Sequence, residues 1–171
     1  MPQSPYLVRW ELRHNLRGMI HSATTFRTDA LVAVGGYREH FRHGEDFDLF
    51  VRLAERFDLA NLPEFLYRIR LDPQSLSVGN AERNTIYCRY ALDCARHRRR
   101  GVPERSLAEY EDSMGWIDRV GLARERVVLD WWRRSMSRRR AWAVAAGLLD
   151  PKRVVARVLR AGERRLHRGT A

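Results

Sequence analysis

Lysine is almost missing from this chain: of its 32 basic residues only Lys152 is lysine, and the rest are arginine. Such a bias, alongside abundant alanine, reflects genome base composition as readily as phosphate recognition, so a net charge of +11 and a pI near 10.8 are weak grounds for naming a partner. Cysteine is scarce too. Cys88 and Cys94 are six positions apart in a predicted helix, on different sides of it, which disfavours a disulfide between them and suits a reducing cytoplasm. No basic and apolar leader with a small-residue cleavage site opens the sequence. The longest uncharged apolar run, AWAVAAGLL at 141–149, is far short of the about 20 residues a bilayer span requires. A cytoplasmic protein is expected, at most peripheral at the inner face of the plasma membrane.

What is present suffices for a core: 171 residues with 44% apolar side chains fit one domain or one and a fraction. The charge divides unevenly. Residues 1–79 carry 10 basic and 10 acidic side chains, whereas residues 80–171 carry 22 and 11. A boundary is expected near Val78-Gly79, giving units 1–79 and 80–171.

Ser4 as cap, Pro5 in the first turn and Gly18 as stop predict a helix over about 5–17. MIHSATTF is β-branched and aromatic and reads as a buried strand. A short helix follows, with Thr28 as N-cap and Gly35 as stop. After Gly44, Phe47, Leu49, Phe50, Leu53 and Phe57 fall largely on one helical face, with Glu45, Asp46 and Asp48 crowding the first turn where the helix dipole favours acids. DLANLP and EFLYRIRL read as two short strands, the first limited by Pro63. From Asn80 on, the pattern is helical: 81–99, 104–114, 122–147 and 151–167.

Residues 21–70, HSATTFRTDALVAVGGYREHFRHGEDFDLFVRLAERFDLANLPEFLYRIR, carry a strand ending in FR, a helix ending in GGY, a carboxylate pair before a DLxxR helix, and NLPEFLYRIR. In this order they resemble the C-terminal half of the catalytic domain of family 2 glycosyltransferases. The resemblance implies an α/β fold class: a partial GT-A nucleotide-sugar transferase domain followed by a mainly α-helical, basic extension. It implies inverting transfer from a nucleotide-sugar donor to a glycan or lipid-linked acceptor. In such a transfer the acceptor hydroxyl must lose its proton as it attacks, and one positioned carboxylate suffices. By resemblance Asp46 is that base and Glu45 orients the acceptor or supports it, while Asp48 caps or stays solvated. Gly35, Gly36 and Tyr37 would form a loop beside the substrates, and Arg68 and Arg70 would meet a diphosphate. A plain helix stop accounts for Gly35, and a solvated strand face accounts equally for the two arginines.

The pattern departs from the family in two places. Where members commonly read RxRxH, with the His helping to hold a divalent metal, this sequence reads Arg68-Ile69-Arg70-Leu71-Asp72. Asp72 is an oxygen ligand suited to Mg²⁺ or Mn²⁺ and equally an Asp-Pro turn former. Asp46-Phe47-Asp48 matches DxD, but it opens a helix instead of closing a strand and is not read as the metal site. No donor-binding βαβ run precedes the acidic cluster, so a truncated or split product, a misassigned start or a donor half on another polypeptide is expected. In the basic half, Trp131, Trp132 and Trp142 among arginines fit a packed helix with a solvated face or attachment to an anionic membrane surface; nucleic acid ranks behind both. The rival to a transferase is a non-catalytic basic helical protein that keeps a degenerate remnant of one.

Overall fold

Eight consecutive residues of one helix, Phe47 through Ala54, are buried. A helix covered on every side must run through the middle of its fold, and the other elements are arranged around it. The computed structural model describes residues 1–16, 18–68, 80–124, 127 and 159–161. Its helices are α1 (Pro5–Arg13), α2 (Thr28–Ala33), α3 (Glu45–Arg56, the central one), α4 (Ala81–Arg100) and α5 (Leu107–Asp112), with a 3₁₀ turn at His21–Ala23. Residues 116–124 are also helical.

Each helix starts and stops for local reasons. Ser4 Oγ accepts from the Leu7 N–H at 3.4 Å and Pro5 fills the first turn of α1, as the sequence predicts. The helix ends before Gly18, because Asn15 turns left-handed at φ 57°. At the end of α2 the Gly36 N–H reaches Leu31 O at 2.9 Å and the Gly35 N–H reaches Val32 O at 3.0 Å, a Schellman pair that requires the positive φ of Gly35. Ser106 and Glu109 close a capping box on α5.

Packing joins the two halves of the sequence. Val8 and Leu12 of α1, Phe50, Val51 and Ala54 of α3, and Tyr90, Ala91, Cys94 and Ala95 of α4 belong to one buried cluster. Ala91 and Ala95 let α4 approach α3 closely, and Phe41 stacks on Tyr90 with ring centroids 5.1 Å apart. Ala30 of α2 packs against Leu49 and Leu53 on another side of α3. Residues on either side of the charge boundary near 79 thus share a core. Of the predicted helices 122–147 and 151–167, only 122–124, 127 and 159–161 lie among the described residues.

The expected α/β class is overturned: among the described residues there is helix and no strand. MIHSATTF forms the 3₁₀ turn with extended residues at Ile20 and Thr24, and DLANLP and the described part of EFLYRIRL make no ladder. β-branched and aromatic residues favour a strand only when neighbouring strands take up their N–H and C=O groups and cover one face. Here Met19 and Phe26 lean on the helical core instead.

A line of ion pairs ties the helices together. Arg38 donates to Glu104 Oε2 at 2.6 Å, Arg98 donates to Glu104 Oε1 at 2.5 Å, and Arg98 continues to Glu55 Oε2 at 2.9 Å. Burial opposes ionisation of Glu104, but hydrogen bonds from Arg98 and Arg38 prevail and hold its carboxyl at about 2, down from 4.5. A depressed carboxylate stabilises the fold above its unfolded pKa, and that contribution is lost as pH falls from about 5 towards 2. Glu104→Gln should therefore lower stability at neutral pH by about 1–2 kcal/mol, allowing for screening of a partly exposed site. Denaturant unfolding across that acid range should show a shallower pH dependence than the parent.

Candidate functional site

Three acids open α3, and the structure gives them different surroundings. Gly44, the residue before the helix, is left-handed at φ 61°. A Cβ there would lie 3.3 Å from Cys88 Sγ, a tight approach to α4, and the left-handed backbone itself favours glycine. The next two residues, Glu45 and Asp46, point outward: Glu45 is exposed and Asp46 half-buried. Asp46 Oδ1 accepts the N–H of Phe47 at 2.7 Å, one of the free donors of a helix N-terminus. No basic side chain is ion-paired with either acid among the described residues.

Asp48 is the opposite case and corrects the expectation that it caps or stays solvated. It is fully buried and receives Arg38 through Nε at 3.0 Å and through a second guanidinium nitrogen. Arg52, one turn further along α3, donates to it at 2.9 Å. The remaining donors of Arg52 reach Val34 O at 2.5 Å and Gly36 O at 2.7 Å, carbonyls of the turn that follows α2. One buried carboxylate therefore positions both the GGY turn and the arginine that follows it. The Asp48–Arg52 pair was legible in DLxxR, since positions four apart share a helix face. Arg38 and Glu104, 66 residues apart, had no local signal.

Of the other expected site residues, Tyr37 stands with the acid pair. Burial raises its hydroxyl pKa, and the charges of Asp46 and Glu45 raise it further, which keeps the O–H protonated. Its oxygen is 2.6 Å from His21 Nε2. Gly35 and Gly36 both have positive φ, and the space a Cβ would occupy is open at each, so the turn and not crowding demands glycine. Arg68 is exposed in the chain after α3 and makes no hydrogen bond to the acid pair; Arg70 and Asp72 lie outside the described residues. Among the described residues no group of three His, Cys, Asp or Glu side chains is placed to hold a metal, so no metal-dependent step is derived. No described helix is long and apolar enough to cross a membrane, and the tryptophan-arginine segment at 126–149 lies almost wholly outside the described residues.

The arrangement presents two carboxylates at the positive end of a helix, beside a protonated phenol held by an imidazole. A carboxylate at such a position can accept a proton from a hydroxyl. Comparison with known proteins adds nothing to this geometry: no family model, no curated protein and no solved structure matches the chain.

Asp48→Asn should cost about 3–5 kcal/mol, the usual loss when one partner of a buried ion pair is removed. Asp46→Asn should cost under about 1 kcal/mol, since only a helix-dipole contribution is weakened. Thermal or urea unfolding of the two variants side by side measures the difference.

Proposed function

We propose that this chain carries the acceptor side of an inverting sugar transferase of family 2 type, with Asp46 as the base. The observation behind this reading is the division of labour within GEDFD: Asp48 is consumed by Arg38 and Arg52, which leaves Glu45 and Asp46 as the two acids able to meet a substrate. The order of motifs in residues 21–70 supports it from the sequence side. The acceptor hydroxyl oxygen attacks the anomeric carbon as its proton passes to Asp46, and the bond from that carbon to the nucleotide diphosphate breaks with its electron pair on the leaving group. Glu45 and the Tyr37 hydroxyl orient the acceptor. The donor nucleotide and any Mg²⁺ or Mn²⁺ with it would be held by other residues than those described.

The rival reading, a basic helical binding protein, rests on the excess of arginine after residue 79. Among the described residues some of these arginines are paired internally: Arg96 and Arg105 with Asp93, Arg98 with Glu55 and Glu104, and Arg83 with Glu111.

Calorimetric titration of the chain alone with UDP-, GDP- and dTDP-sugars and Mn²⁺ should give only weak heats. Submicromolar affinity would refute the assignment of donor binding to other residues. When the donor-binding part is present, Asp46→Asn should lower turnover by roughly 100-fold to 10,000-fold, with donor affinity little changed. Asp29→Asn is the control, because Asp29 is an exposed first-turn acid of α2 and the charge change is the same. Equal losses in the two variants would remove Asp46 from the role of base.

A further inference from the structure

After α3 the chain is tied down and then released. Arg9 pairs with Asp58 at 3.1 Å, and the Asn61 side-chain amide donates to Pro2 O at 2.5 Å and Gly18 O at 2.8 Å. Directly beyond this anchor come four large apolar side chains in contact with solvent: Leu62 is 70% exposed, Phe65 105%, Leu66 74% and Tyr67 52%. The backbone there belongs to no helix or ladder. Exposed apolar patches of this size mark interaction sites.

We propose that residues 64–68 pair antiparallel with the same residues of a second copy of this chain, forming a two-stranded ribbon about a two-fold axis at Leu66. The sequence Glu64-Phe65-Leu66-Tyr67-Arg68 is self-complementary in that register. Glu64 lies opposite Arg68 of the other copy, and the pairing occurs twice. Phe65 lies opposite Tyr67, also twice, and Leu66 meets itself. Opposite charges and paired aromatics across strands are the combinations that stabilise antiparallel ribbons. With Leu66 as the hydrogen-bonded pair, its N–H leaves Glu64 O, 3.2 Å away in the single chain, for the other copy's carbonyl. Alternate positions then need no donor, and Pro63, which has none, falls on one of them.

The contact is small: Leu62 lies outside the paired residues, and a two-stranded ribbon leaves part of each face in water. The dimer therefore belongs to the weak, transient class that falls below the roughly 1,000 Å² of a stable interface. The inference is independent of the transferase reading, and it assigns Arg68 to a protein contact instead of a diphosphate.

Sedimentation equilibrium of the full chain over about 1–100 µM should show reversible dimerisation, the range in which an interface of this size is populated. Glu64→Arg places like charges opposite each other at two positions and should weaken the dimer by about tenfold or more. The exchange variant, Glu64→Arg with Arg68→Glu, should restore it. Both side chains are exposed, and unchanged helical circular dichroism verifies that the variants fold. A monomer throughout the range would overturn the proposal and leave the apolar segment to a different protein. A dimer indifferent to Glu64→Arg, or an exchange variant that stays weak, would overturn it by placing the contact elsewhere.

Discussion

The fold is organised around a buried negative charge. A carboxylate out of water is tolerated only when its lone pairs are taken by donors that bring compensating charge, and Asp48 meets that condition with two guanidinium groups. Each arginine then has donors to spare. Arg52 spends its own on carbonyls of the turn after α2, and Arg38 carries the connection across to Glu104 and so to α4. The apolar surfaces of α1, α3 and α4 supply the driving force for assembly. The ions select one relative placement, because a shift of α2 or of the turn after it would leave charge unpaired in the interior.

Much of this helical framework was legible in the sequence, since helix termini are local events. Ser4 with Pro5, Gly35 with Gly36, and Gly44 ahead of an apolar stripe each mark a boundary through backbone chemistry that needs no distant partner. The strands were misread because strand formation is not local. MIHSATTF and DLANLP have the composition of strands, but composition states only a suitability for pairing, and no described segment pairs with them. The left-handed Asn15 ends α1 ahead of Gly18; asparagine is the residue after glycine that most readily takes this conformation past a helix, a local signal outweighed in the sequence by Gly18.

The candidate site was legible in part for the same reason. Adjacent acids at a helix start are visible in one dimension, and so is the i,i+4 relation of Asp48 to Arg52. What could not be read was which acid would face inward. That depends on Arg38 and on Glu104, whose contribution comes from the loop between α4 and α5. The pairing of His21 with Tyr37 similarly joins residues 16 positions apart across a turn whose shape only the folded chain defines.

Lysine's scarcity acquires a meaning once the ion pairs are placed. Every cation in the line from Asp48 to Glu55 is a guanidinium: Arg52, Arg38 and Arg98. Arginine does not lose its proton under any condition a protein survives, whereas a partly buried lysine gives up its charge readily. The interior network can thus be dismantled only through its acids, which leaves it insensitive to alkali. A framework with ammonium groups at those positions would have opened from both sides.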